Sequence, residues 1–462
     1  MTNPYLSNGF RPLRTEHSDV TLEVEGPLPV GLTGTFYRVG PSPQFDPRGT
    51  YNPLMGDGMV HAFRIANGKV TYRNRWVRTL QWQKDNAAGR ALFATTNNPM
   101  EHDPSVAQLP TDGVANTNVV WHANTLLALE EGHVPFAIDP ATLATRGHHT
   151  FAGKLPRNMT AHPKIDPQTG ELLTFANFEN IRAPRDIGFH IADENGAITR
   201  SQTITGPFAA LLHDFAISRD FAIFAFCPVT ISMKRMMEGR PLIAWEPGLD
   251  THVGIVHRHT GETRWFEGDA CMAWHTMNAF NDKDRIVVDV CPQAAPMFPD
   301  ANGTPPDPSR AAQHLTRWEF DWSKPGAYTA TKLSTEPCEY PRIDERHTGA
   351  THRHSYLATA GGPGTTDIFQ RGLGHYDFAA NTFRTWHAGP HSAVGEPVFV
   401  PKHATAREGE GWLLTNVFDE TSNTSHLAIL DAEDIEHGPI ARAHLTHHMP
   451  MAFHGCWIPA GA

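Results

Sequence analysis

The chain is short of cysteine, of positive charge and of unbroken apolar sequence, and each shortage removes a class of protein. Its 5 cysteines, Cys227, Cys271, Cys291, Cys338 and Cys456, are odd in number, widely scattered and include no CxxC pair. That pattern argues against a disulfide framework or a thiolate zinc site and fits free buried thiols in a reducing compartment. Lys and Arg total 38 against 49 Asp and Glu, a formal charge of −11 with no basic cluster. Neither nucleic acid nor an anionic membrane is therefore an expected partner. No apolar run approaches the ~20 residues that cross a bilayer as a helix. The polar stretch 1–19 lacks the apolar core of a signal peptide. The expected setting is soluble and cytoplasmic.

What is abundant is turn-forming and aromatic sequence: 38 Gly, 37 Pro and 10% aromatics in 462 residues. This composition favours many short strands over long helices. Large all-β folds run as one unit at this length, so the expectation is a single domain over 1–462 with an extended arm over 1–30. The β-rich runs 59–65 and 69–73 flank Asn67-Gly68, a hairpin signal. Residues 80–110 read as polar and irregular, with a short helix near 87–92. From 114 onward strand–turn–strand units recur at 118–129, 165–175, 215–224, 279–290, 374–386 and 412–430. Spacings of roughly 40–60 residues point to propeller blades, which typically have four strands each. The rhythm breaks at 227–248, where Met233, Met236, Met237, Leu242, Ile243 and Trp245 cluster. This segment reads either as a short helix packed on the core or as a substrate mouth with peripheral membrane contact.

Histidine is the other excess, at 28. Taken singly, each reads as a surface or satisfied core residue. Four stand in marked settings at the edges of apolar or turn-rich segments: His162 in TAHPK, His213 in LLHDF, His275 in WHTMN and His454 in FHGCW. Together they are read as converging on one metal. Imidazole suits Fe, Zn, Cu and Ni, so ligand type alone does not choose the ion. Ligating imidazoles usually donate their second N–H to a carboxylate or carbonyl. Glu131, Glu339 and Glu396 lie in apolar or proline-flanked contexts where a free carboxylate is costly. Their bland reading is a buried ion pair, with Arg342 a local candidate.

Short motifs then occur in a shared order along nearly the whole chain: GTFYRVGPSP (34–43), GDGMVHAFRI (56–65), VANTNVVWH (114–122), TAHPKIDPQTGEL (160–172), LLHDFAIS (211–218), EYPRID (339–344), GEPVFVP (395–401) and FHGCW (453–457). In these the sequence resembles the carotenoid cleavage oxygenases, a family that includes lignostilbene dioxygenases and isoeugenol-type monooxygenases. The resemblance implies an all-β, seven-bladed propeller with an axial metal under a dome of loops and short helices. It implies non-haem Fe(II) held by His162, His213, His275 and His454, with Glu131, Glu339 and Glu396 behind the imidazoles. It also implies that Thr117 crowds one open iron position. The implied reaction is O2-dependent scission of a carbon–carbon double bond to two carbonyls.

Against the phenol-cleaving members, the positions that carry a tyrosine and a lysine toward the substrate's 4-hydroxyl align with Thr96 and Glu130, and the stacking aromatic falls near Leu54. A carboxylate in place of a lysine opposes a phenolate. An apocarotenoid or other apolar conjugated alkene is therefore the expected substrate, with stilbene or phenylpropenoid cleavage the alternative. A non-catalytic binding propeller leaves the four histidines unexplained. A zinc hydrolase would typically use three protein ligands and a carboxylate base, and nothing resembling HExxH occurs.

Overall fold

The computed structural model describes residues 3–96, 99–155, 157–177, 180, 182–360 and 369–461. Strands alternate with tight turns along nearly all of this length. The local reasons are visible in the first hairpin. Lys69–Trp76 alternates exposed or half-buried with buried positions throughout, and Asn67 and Gly68 take φ 53° and 69°. Both turn residues thus occupy the left-handed region that a tight two-residue hairpin demands.

The chain divides into two compact units, residues 1–161 with 386–462 and residues 162–385. The first holds three blade sheets. One runs in the order Val20–Thr21, Lys69–Trp76, Gly58–Ala66, Gly34–Pro41, His454–Pro459, so its last strand comes from the C-terminus. The second is the meander Asn118–His122, Thr125–Leu129, Phe136–Ile138, Thr145–His148. The third takes Glu23–Glu25 onto Pro439–His444 and continues through Thr424–Asp431 to Gly411–Asp419. The stretch expected as an arm therefore lends short strands to two sheets. Apolar side chains of the first and third sheets interlock: Phe63, Tyr72 and Val70 pack with Leu414, Leu427 and Ile429. Each such fully buried side chain contributes about 1.5–3 kcal/mol of transfer free energy.

The second unit holds four blades. One spans Lys164–Ile165 to Ile198–Thr205, and the next spans Ala216–Ile217 to Thr263–Gly268. Two more share a seven-stranded sheet from Met272–Asp282 to Thr382–His387, joined by the 15-residue strand Thr329–Ile343. Leu173, Phe175, Phe215 and Phe224 form the apolar seam between the first two of these blades.

Outside the blades lie loops and short helices. The helix expected near 87–92 is instead Leu80–Ala88: the Thr79 side chain accepts from Trp82 N at its start, and Gly89 ends it at φ 65°. The cap at Thr79 is the signal that the polar composition of this stretch concealed. The segment 227–248 is a hairpin, Val229–Ile231 with Ile243–Trp245, carrying the helix Met233–Met237. Met233 and Met237 are 58% and 77% exposed, whereas Trp245 is buried. Among the described residues no helix is long and apolar enough to cross a membrane.

Candidate metal centre

Three of the four histidines occupy corresponding places on successive blades. His162 lies just before the first strand of one blade, His213 just before the first strand of the next, and His275 within the first strand of the third. Nε2 of His162 is 3.1 Å from Nε2 of His213, which is 3.2 Å from Nε2 of His275. His162, His213 and His454 are buried, and the His275 side chain keeps 12% of its surface. One ligand nitrogen from each of His162, His213, His275 and His454 falls in a set whose members all lie within 4.8 Å of one another.

The tautomers of two of them follow from their partners. His275 Nδ1 is 2.8 and 2.7 Å from the two carboxylate oxygens of Glu339. His454 Nδ1 is 2.9 Å from Glu396 Oε1. An ionised carboxylate only accepts, so Nδ1 carries the proton and Nε2 presents a lone pair. Adjacent nitrogens on an ion with bonds of about 2.1 Å are about 3 Å apart, which matches the separations found. The four residues can hold a metal ion.

Glu396 is 2% exposed and also meets Arg38, itself at 0%, with Nη1 2.7 Å from Oε2. Gly455 N donates to the same Oε2 at 3.1 Å. Gly455 must be glycine here, because a Cβ would sit 2.1 Å from the Tyr37 carbonyl oxygen and 2.5 Å from Arg38 Cδ. Glu339 accepts in addition from its neighbour Tyr340 N. Tyr340 takes φ 52° at a register shift between Glu339 and Arg342, and its ring stacks on His275 with centroids 5.5 Å apart. The ion-pair reading of these carboxylates thus holds for Glu396, but its partner is Arg38. Arg342 pairs with Glu345.

Glu131 is half-buried beyond strand Thr125–Leu129, and its carbonyl accepts from Asn158 Nδ2 at 2.8 Å. Thr117 is buried. Its carbonyl accepts from His454 N at 3.2 Å, and its hydroxyl donates to Asn116 Oδ1 at 2.9 Å. The next residue, Asn118, fixes the Ala161 carbonyl at 2.8 Å, one residue before His162. Leu54 is 47% exposed. Thr96 Oγ1 donates to Glu101 Oε2 at 2.9 Å. Glu130 accepts from Gly132 N at 2.8 Å and pairs with His133. Burial lowers the His133 pKa, but the Glu130 carboxylate outweighs it and the net shift is upward. Glu130 is thus engaged by the His133 ring and the Gly132 N–H rather than standing free to face a phenolate.

Sequence reasoning assigned no role to Arg38 or Asp214. Asp214 lies beside His213 and pairs with Lys164 at 2.8 Å. Burial alone would raise its pKa, yet Lys164 and the donors around it hold it below the ordinary range. Arg38 is the one charge in the strand Gly34–Pro41, and Asp214 separates His213 from Phe215, but neither local setting names a partner.

Residues 10–459 match the family of the retinal pigment epithelial membrane protein. The chain belongs to this family, the carotenoid oxygenases. Isoeugenol monooxygenase of Pseudomonas nitroreducens is 35% identical over 470 residues, covering 99% of this chain and 98% of its own. Lignostilbene-alpha,beta-dioxygenase isozyme III of Sphingomonas paucimobilis is 36% identical over 473 residues, covering 98% and 96%. The crystal structure of Pseudomonas brassicacearum lignostilbene dioxygenase is similar with a TM-score of 0.94 at 34% identity, covering 99% of both chains. Cobalt-substituted Synechocystis apocarotenoid oxygenase follows with a TM-score of 0.86 at 28% identity over 98% of both. The carotenoid oxygenase fold of this chain is the all-β, seven-bladed propeller.

Proposed function

We propose that this protein is a non-haem Fe(II) oxygenase that cleaves the double bond of a conjugated alkene with O2, giving two carbonyl products. The observation that carries the reading is the buried convergence of His162, His213, His275 and His454 in a chain related end to end to alkene-cleaving oxygenases. The whole chain acts as one propeller domain. Four neutral imidazoles add no charge to a divalent ion and favour the reduced state of iron, which an oxygen-activating site requires. Bound there, Fe(II) supplies O2 activation beside the double bond.

The protein's own part is positioning. Glu339 and Glu396 fix the tautomer and orientation of His275 and His454. Glu131 is assigned the corresponding place behind a third imidazole, and Thr117 narrows access at one open position. Trp274 lies edge-on to His213 with centroids 5.0 Å apart, an apolar wall that excludes water from that side. The Thr96 and Glu130 polar groups are engaged by Glu101 and His133. With Leu54 half exposed, none of the three is set to grip a phenol. This supports an apocarotenoid or other non-phenolic conjugated alkene as substrate. The exposed Met233 and Met237 support uptake from a membrane surface. A stilbene or phenylpropenoid substrate is the second reading, favoured by the 35% and 36% identity to enzymes named for isoeugenol and lignostilbene.

The test is product analysis by mass spectrometry with the iron-loaded protein, offering an apocarotenal, resveratrol and isoeugenol in parallel. Aldehyde pairs from the apocarotenal at the highest kcat/KM support the first reading, and preference for a phenolic substrate by tenfold or more selects the second. No cleavage of any conjugated alkene would overturn both.

A further inference from the structure

His162 and His213 lie in segments without ladder hydrogen bonds, and His275 lies where the register of its strand shifts twice, between Ala273 and Thr276 and again between Thr276 and Asn278. Irregular backbone of this kind has no sheet to hold its side chains in register. One carboxylate spans all three segments. Asp214, whose side chain is 3% exposed, places Oδ1 2.8 Å from Nζ of Lys164, two residues after His162. The same oxygen accepts from Phe215 N at 2.7 Å. Its Oδ2 accepts from Thr276 N at 2.8 Å, one residue after His275. The Thr276 hydroxyl is 2.9 Å from both Asp214 Oδ2 and the Phe215 carbonyl and can donate to either.

We infer that Asp214 is the positioning residue of the metal centre: it locks the segments bearing His162, His213 and His275 at the spacing that the ion requires. The inference rests on the four-histidine reading above. Its physical basis is that the Thr276 N–H, released from the ladder by the irregular register, finds its acceptor in Asp214. The Lys164 ammonium meanwhile draws the His162 segment onto the same group. Asp214 touches neither the ion nor the substrate in this role. It sets how closely the three imidazole nitrogens approach before any ion is present, and so sets how much reorganisation binding requires.

The probe is Co(II) alone, titrated into the metal-free full-length protein and followed by its visible d–d absorption. Asp214→Asn keeps the size of the side chain and an acceptor for Thr276, but loses the ion pair. We expect a Co(II) dissociation constant raised roughly 10–100-fold, the usual scale for losing a group behind a metal ligand, with a d–d band altered in shape. Asp214→Glu should recover part of the affinity. A purely structural role would lower the melting temperature and leave the Co(II) affinity and band of the folded protein unchanged, and that result overturns the inference. If Asp214→Asn does not fold, Lys164→Met combined with Thr276→Val removes the ion pair and the hydroxyl contact from the other side, leaving, of the links to those two segments, only the backbone N–H of residue 276 on Asp214. The same loss is expected, and unaltered affinity and band again overturn it. His213→Ala is the control that separates the two readings. Co(II) binding unaffected by His213→Ala refutes the four-histidine centre itself. Binding lost in His213→Ala but intact in the Asp214 variants refutes only the role of Asp214.

Discussion

His454 and His275 each donate Nδ1–H to a glutamate, but the two glutamates are compensated differently. Glu396 sits against the fully buried guanidinium of Arg38, 2.7 Å away, and both are nearly without solvent. Glu339 is buried as well, yet among the described residues no lysine or arginine pairs with it, and its partners are His275 and the Tyr340 backbone. The Glu396 pair is thus a charge-balanced part of the core, whereas the Glu339 pair carries a net negative charge that a bound cation would offset. The same chemical device stands in two settings: at His454 it is tied into a charge-balanced core, and at His275 it is left to orient the imidazole.

The largest effect should come from removing what the two pairs share. His454→Ala or His275→Ala should each abolish stoichiometric metal and turnover together, checked by metal analysis and product formation on the same preparation. The next change separates the pairs. Glu396→Gln leaves Arg38 buried without its counter-ion, and breaking such a pair typically costs about 3–5 kcal/mol. A clear fall in melting temperature of the metal-free protein should result, and Arg38→Met in the same chain should restore part of it. Glu339→Gln removes no cation's partner. It should leave the metal-free melting temperature nearly unchanged while weakening metal affinity roughly 10–100-fold. Equal melting temperatures for the two Gln variants would erase the distinction.

The contrast also explains what could be read in advance. The blades were legible because their strands alternate and their turns carry Asn, Asp and Gly at fixed offsets, as at Asn67-Gly68. The histidines were legible through the motifs around them, since a count of 28 says nothing about any one. Arg38 and Asp214 were not. Their partners lie 358 and 50 or more residues away in sequence, and no local pattern announces a contact of that range. The helix Leu80–Ala88 was displaced in the reading because a cap, Thr79, decided its start while the composition looked irregular.

A smaller effect concerns acid. Burial holds His61, His352 and His375 down at about 3. Unfolded, these groups take up protons near 6.5. The unfolded state binds more protons between about 3 and 6.5, so their contribution is complete above 6.5 and is lost as pH falls through that window. Burial raises Asp57 to about 6 and Asp85 to about 7. These work in the opposite sense, costing stability as pH rises from about 4 toward 7. The melting temperature of the metal-free protein should fall from pH 6.5 to 4.5, with three histidines outweighing two aspartates. Asp57→Asn should steepen that fall, and a flat profile in both would refute the assignment. The smallest expected effect is a gain: Thr96→Tyr with Glu130→Lys should raise kcat/KM on a 4-hydroxystilbene by a few-fold. No gain would show that the phenol is met elsewhere.

The central claim is that four imidazoles and no carboxylate hold the iron. X-ray absorption at the iron K-edge of the anaerobically Fe(II)-loaded protein tests it most directly. The account predicts about one iron per chain with a first shell of four imidazole nitrogens and the multiple scattering that imidazole rings give, reduced by one ring in His454→Ala wherever iron is retained. A first shell dominated by carboxylate oxygen, or one identical in the protein with and without His454, would contradict it.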